Sequence, residues 1–252
     1  MSAERIPALE LRGVSKSYGQ VRALAGVDLS VYPGEVHGIL GDNGAGKSTM
    51  LKIAAGVVAP DDGEVLIGGQ PAKFISPLDA RAAGIETVYQ DLAIAETRSC
   101  TANVFVGREL TRRGVLGRFG VLDRRAMHAR AQQEFAQLGV TITNPRQLAG
   151  LLSGGQRQGV AIARAAMWAR HVVLLDEPTA ALGLRQKASV DSLMREMRER
   201  GLGVMLISHD VPEVLNLADR LTILRLGQVV ASRPAAGTDL SYVVEQMVSG
   251  VA

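Results

Sequence analysis

At 252 residues the chain is long enough for one hydrophobic core carrying an inserted lobe. Its 28 basic and 25 acidic residues nearly cancel to a net charge of +3, which argues against nucleic acid as a partner. Charges interrupt every apolar stretch well before the roughly 18 residues of a membrane span. The opening MSAERIPALELRG lacks the apolar core of a signal peptide, and a lone Cys100 excludes a disulfide framework and a cysteine-cluster metal site. A cytoplasmic home is therefore expected.

The first sixty residues read as strands and tight turns. ALELRGVSKSY and VDLSVY alternate as half-buried strands do, with a Pro-Gly turn at residues 32–35. VHGIL, residues 36–40, is a short apolar run of the buried-strand type. It feeds into GDNGAGKST, residues 41–49, and then into MLKIAAGVV, which has helical spacing. Further strands are expected in DDGEVLIGGQ and in GIETVYQD, which reaches Gln90.

From Asp91 to Met167 helical patterns replace strand patterns, and this stretch is the candidate inserted lobe. Within it DRRAMHARAQQEFAQLGV predicts an amphipathic helix with Ala126, Ala129, Phe135 and Leu138 as its apolar positions. Residues 108–130 are rich in arginine, which suits either a solvated face or contact with a membrane protein or lipid headgroups.

Strand and helix then alternate again: VVLL, a helix around Val190, Leu193, Met194 and Met197 stopped at Gly201, and GVMLIS. These read as a right-handed βαβ unit of a parallel sheet, with VVLL able to lie beside VHGIL. RLTILRLGQVVAS reads as a hairpin turning at Leu226 and Gly227, followed by a last amphipathic helix.

Chemistry concentrates in three stretches. GDNGAGKST fits G-x-x-x-x-G-K-[ST], from Gly41 through Asn43, Gly44, Ala45 and Gly46 to Lys47, Ser48 and Thr49. Glycines let the backbone curl several N–H groups around one anion, and the helix start adds positive potential. Lys47 would then reach the outer phosphates and Ser48 would bind Mg²⁺.

HVVLLDEPTAALG, residues 171–183, ends an apolar strand in two adjacent carboxylates. A strand ending in solvated acids is the plain reading. Beside a phosphate loop, Asp176 instead suits a metal that keeps most of its waters, and Glu177 suits the polarisation of an attacking water.

LLSGGQRQGVAIARAAMWAR begins a long helix at Ser153, Gly154, Gly155 and Gln156. By itself it fits a simply capped helix as well as an anion site.

The order phosphate loop, Gln90, LSGGQ, Asp176-Glu177 and His209 resembles the nucleotide-binding subunit of ABC transporters, over nearly the whole chain. The resemblance implies an α/β fold: a RecA-like P-loop NTPase core of parallel sheet, an antiparallel β subdomain and an inserted α-helical subdomain. Residues 1–90 and 168–252 would form the core lobe and residues 91–167 the helical lobe. It implies ATP and Mg²⁺ as cofactors, with Ser48, Gln90 and Asp176 at the metal and Glu177, Gln90 and His209 in hydrolysis. Tyr18 would stack on adenine. Ser153, Gly154, Gly155 and Gln156 would meet ATP held by the opposite subunit, so two chains would close over two nucleotides.

HGILGDNGAGKST, ETVYQDLA, VGREL and DEPTAALG together resemble the monosaccharide-import subgroup. That implies a homodimer on the cytoplasmic face of the plasma membrane. It would be bound to transmembrane permease subunits through a groove formed by residues 88–106, and served indirectly by a sugar-binding protein. Where the wider family has an aspartate after Ser-Ala-Leu, this chain has Gly183, which leaves open how the two ATP sites communicate. Two other classes remain. An ABC-type ATPase acting on DNA or ribosomes would bring long coiled-coil insertions, tandem domains or a strongly basic surface. A small-molecule P-loop kinase would have no use for LSGGQ.

Overall fold

The computed structural model describes residues 5–180 and 182–249; Ala181 of the AALG stretch and the first four residues of the opening segment lie outside them. In chain order, β1 (Leu9–Tyr18) and β2 (Val21–Val31) form an antiparallel hairpin, followed by β3 (Val36–Gly41) and α1 (Lys47–Ala54). Then come β4 (Asp62–Ile67), β5 (Gln70–Ala72), α2 (Pro77–Ala82) and β6 (Ile85–Val88). A helical stretch follows with α3 (Cys100–Val104), α4 (Val115–Arg118), α5 (Arg124–Gln137) and α6 (Gly154–Trp168). The chain ends through β7 (Val172–Asp176), α7 (Leu184–Glu199), β8 (Gly203–Ile207), α8 (Val211–Leu217), β9 (Arg220–Arg225), β10 (Gln228–Pro234) and α9 (Leu240–Val248).

The described residues fall into two compact units, one drawn from Met1–Tyr89, Trp168–Pro178 and Met194–Ala252, the other from Gln90–Met167 and Thr179–Leu193. The first unit holds both sheets. An antiparallel sheet runs β2-β1-β4-β5, and a six-stranded sheet runs β10-β9-β3-β8-β7-β6, parallel from β9 to β6 with β10 antiparallel at its edge.

VVLL does not lie beside VHGIL as expected. β8 stands between them, with Val204 opposite both Val36 and Val173. The α7 crossover delivers β8 next to β7, and β3 takes its other edge. All three are buried apolar runs, so their order is set by pairing and crossover and not by composition.

The core of this unit gathers Leu9, Leu11, Val14, Leu24 and Val27 from the hairpin with Met50, Leu51 and Ile53 from α1 and Ile39, Leu174 and Met205 from the parallel strands. Among its buried polar residues is His37, 0% exposed, whose Nδ1 lies 3.0 Å from the Ser30 carbonyl and Nε2 2.7 Å from Thr222 Oγ1. A carbonyl only accepts, so Nδ1 carries the proton and Nε2 accepts from Thr222, whose oxygen lies 2.9 Å from Ser232 Oγ. Burial, helped by the charge of Arg220, holds the imidazole neutral and lowers its pKa to about 3, although Glu35 lies 3.6 Å away.

In the second unit α3 packs against α5. The helix predicted around DRRAMHARAQQEFAQLGV is α5, but its buried stripe is Met127, Ala131, Phe135 and Leu138, while Ala129 is exposed. That spacing of four, four and three is one continuous helical face. Alanines on both sides of α5 left the phase ambiguous, and the bulk of Met127 decides it. The lobe expected at residues 91–167 lies within this unit, which also takes the start of α7. There a β-carbon on Gly155 would come within 2.8 Å of Gln186 Cγ.

Candidate functional site

The phosphate loop is built from β3 upward. Gly41 ends the strand against the Leu224 carbonyl, closer than a β-carbon could tolerate. Gly46, at φ 108°, passes the Ala23 carbonyl so tightly that an added β-carbon would sit 2.6 Å from it. Those two glycines fix the loop by close approach and left-handed backbone together. Gly44, at φ 80°, has open space around it and supplies conformation alone.

Gly46 caps α1 without any side-chain hydrogen bond, so the first N–H groups of the helix stand open to an anion. Lys47, 8% exposed, turns Nζ back into the loop and donates to the Gly41 carbonyl at 2.7 Å and the Asp42 carbonyl at 3.0 Å. Burial lowers its pKa, while Glu177, Asp42 and Asp176 act the other way and favour the ammonium.

A cavity of about 430 Å³ is lined by Asn43, Gly44, Ala45, Gly46, Lys47, Ser48 and Thr49 and also by Asp176 and Glu177. The two acids of DEPTAALG are thus gathered with the phosphate loop although one strand separates β7 from β3. Asp176 is half-buried, and its carboxyl is pushed above the usual range first by burial and then by Glu177, with Lys47 and Lys52 opposing. Glu177 sits just past β7 at φ 48°, a left-handed conformation unusual for a non-glycine residue, and its N–H is tied to the Ile207 carbonyl at 2.9 Å. His209 follows β8, and its Nδ1 lies 3.2 Å from Glu177 Oε1.

The sequence did not single out Val21, Arg22, Ala23, Ile207 or Leu226, which complete the lining. They come from the start of β2, the end of β8 and the tip of the β9–β10 hairpin, and only the turn signals beside them were visible in advance. Tyr18, expected on the base, ends β1 and pairs with Val21, half-exposed under Lys16, whose Nζ is 5.9 Å from the ring centre. Tyr18 is not among the residues that line the cavity, while its strand partner Val21 is.

The second unit holds the other expected residues. Gln90 opens it. At the start of α6, Ser153 Oγ accepts from the Gln156 N–H at 3.3 Å and Gln156 Oε1 accepts from the Ser153 N–H at 3.1 Å. This is a reciprocal capping box, and Gly154 has open space around it. A cavity of about 970 Å³ in this unit is lined by Thr97, Ser99, Ala102, Val106 and Met127 among others, with Arg98, Arg124, Arg125 and Arg146 around it.

The donor set suits a hard cation of the magnesium type: a hydroxyl at Ser48 and a carboxylate at Asp176 line one cavity, both oxygens. Among the described residues no group of three or more His, Cys, Asp or Glu side chains could hold a metal ion. Nor is any described helix long and apolar enough to cross a membrane.

The ABC transporter family model matches residues 24–180. The chain is 50% identical over 224 residues to the fructose import ATP-binding protein FrcA of Rhizobium meliloti, covering 88% of this chain and 86% of that one. It is 39% identical over 241 residues to the xylose/arabinose import ATP-binding protein XylG of Sulfolobus acidocaldarius, covering 96% and 94%. It is also 43% identical over 243 residues to the ribose import ATP-binding protein RbsA 2 of Burkholderia pseudomallei, of which it spans 46%. Among solved structures, the dimeric bacterial ABC transporter cassette MJ0796 superposes with a TM-score of 0.75 at 26% identity, covering 91% of this chain and all of that one. With a P-loop core, an antiparallel β subdomain and these relatives, the chain belongs to the ABC transporter family and is one of its ATP-binding cassettes, an ABC-type ATPase.

Proposed function

We propose that the chain hydrolyses ATP to energise import of a monosaccharide through separate membrane subunits. The observation that carries the catalytic half is the single cavity joining the phosphate loop to Asp176 and Glu177, with His209 against Glu177. The sugar half rests on the likeness to fructose, ribose and xylose/arabinose import proteins over nearly the whole chain.

In this reading the open N–H groups of α1 and Lys47 bind the β- and γ-phosphates, and ATP displaces the Lys47 bonds to the loop carbonyls. Ser48 and Asp176, which line one cavity, would hold Mg²⁺, and the ion would neutralise phosphate charge. Glu177 takes a proton from the attacking water, and His209, whose Nδ1 lies 3.2 Å from its Oε1, orients its carboxylate. Ser153, Gly154, Gly155 and Gln156 meet the nucleotide of a second copy, so the working form is a homodimer on the cytoplasmic face of the membrane. The cavity of the helical unit, which includes Thr97 and Val106, receives a segment of the permease.

The test is reconstitution of the chain with membrane permease subunits and a sugar-binding protein. A panel of fructose, ribose and xylose should contain one sugar that raises ATP turnover in vesicles. If none does, while ATP is still hydrolysed, the import reading falls and the ATPase reading stands.

A further inference from the structure

Within the helical unit, residues 110–123 form a closed excursion. The Asp123 N–H donates to the Leu110 carbonyl at 2.7 Å, the Arg112 N–H to Val121 at 2.8 Å and the Val121 N–H to Leu116 at 3.1 Å. Gly114 and Gly120 turn the chain at φ 74° and 73°, and Gly117 packs so tightly on the Arg112 carbonyl that no β-carbon fits there. This is a fixed shape, and it displays what a folded chain ordinarily hides. Phe119 is 81% exposed, Val115 69% and Leu116 50%, and Val115 and Phe119 are four residues apart across the single turn of α4. Arg112, Arg113 and Arg118 surround them, all exposed and none paired with an acid among the described residues.

The shape and charge together select the partner. Val115, Leu116 and Phe119 do not line the neighbouring cavity; they stand out on the excursion itself. A concave cavity fits a protruding protein segment, whereas exposed apolar side chains beside exposed arginines fit a yielding, negatively charged surface. Apolar insertion and arginine attraction are the two signals that reversible attachment to an anionic bilayer requires. We propose that residues 110–123 are a lipid-contacting hairpin that seats Val115, Leu116 and Phe119 among the headgroups of an anionic membrane, with Arg112, Arg113 and Arg118 on the phosphates.

The purified full-length chain, without permease, should cosediment with vesicles of phosphatidylcholine mixed with phosphatidylglycerol, more weakly as salt rises, and not with phosphatidylcholine alone. Each of Arg112→Gln, Arg113→Gln and Arg118→Gln should weaken binding about fivefold, and Phe119→Ser about tenfold, with ATP turnover unchanged because none of these residues belongs to the nucleotide site. A fluorophore on Phe119→Cys, beside a buried Cys100, should shift to the blue on the anionic vesicles. Failure to bind anionic vesicles, or binding that these substitutions leave unchanged, overturns the proposal. So does a fluorescence shift seen only when vesicles contain the permease, which would make the hairpin a protein contact. None of these vesicle outcomes bears on whether the chain energises sugar import.

Discussion

His209 Nδ1 stands 3.2 Å from Glu177 Oε1, and Glu177 holds a left-handed backbone that costs on the order of 1–3 kcal/mol. Two strands deliver this pair: Asp176 pairs with Ile207 across β7 and β8, and each strand then releases its next polar residues at the same edge. The Glu177 N–H bond to Ile207 holds the strained residue in place. Such strain at a carboxylate facing a phosphate loop is what fixed positioning of a base requires.

Glu177→Gln keeps the side chain's size and its place beside His209 while removing its basicity. Steady-state phosphate release should fall about 10²- to 10⁴-fold with ATP binding retained. Gel filtration with ATP and Mg²⁺ should then show a stable dimer, since the sandwich closes but does not turn over. Near-normal turnover would take the base role from Glu177, and a monomer under ATP would count against the two-chain site.

Lys47→Ala removes both a phosphate ligand and the brace to the Gly41 and Asp42 carbonyls. A charge-assisted hydrogen bond contributes about 1.5–3 kcal/mol, so ATP affinity should drop roughly tenfold to a hundredfold. Titration with a fluorescent ATP analogue measures it. Affinity within a factor of two of wild type would show that the helix N–H groups alone hold the phosphates.

What the sequence could announce, and what it could not, follows from the range of each interaction. The phosphate loop was legible because its glycines answer to local backbone geometry, and the Leu226-Gly227 hairpin turn for the same reason. Ser153 and Gln156 carried their capping box in their spacing. The place of β8 between β3 and β7 was hidden, because VHGIL, VVLL and GVMLI are equally apolar and only pairing ranks them. The phase of α5 was hidden by alanines on both faces. Arg22 and Leu226 reach the cavity through turns far apart in sequence, a consequence of tertiary folding alone.

His37 makes stability depend on pH. Its folded pKa, about 3, lies below the ordinary 6.5, so the unfolded chain binds more protons between those values. Stability from this group is full above about pH 6.5 and declines as pH falls toward 3, by an amount on the order of several kcal/mol. Glu35, raised by burial, works in the opposite sense between its ordinary range and its raised value, and so offsets part of the loss. Urea denaturation at successive pH values should show weakening below neutrality that His37→Gln largely removes. An unchanged slope in that variant would move the acid sensitivity elsewhere.

Gly183 is the departure from the family pattern, and the backbone explains why an aspartate would still fit. Its carbonyl accepts from the Gln186 and Lys187 N–H groups at 2.9 and 3.0 Å, which makes it the residue that opens α7. Its own N–H donates to Gln186 Oε1 at 3.1 Å, half of a capping box that lacks only the first side chain. A β-carbon there meets nothing nearer than that oxygen, at 3.9 Å, and the backbone is not left-handed. Gly183→Asp should therefore fold normally and gain a few tenths of a kcal/mol, visible as a small rise in thermal midpoint with basal ATP turnover unchanged. The Hill coefficient for ATP then isolates communication between sites: an unchanged value shows that the carboxylate is dispensable here, and a higher one shows that its absence had weakened the coupling. A destabilised variant would contradict this account of how α7 begins.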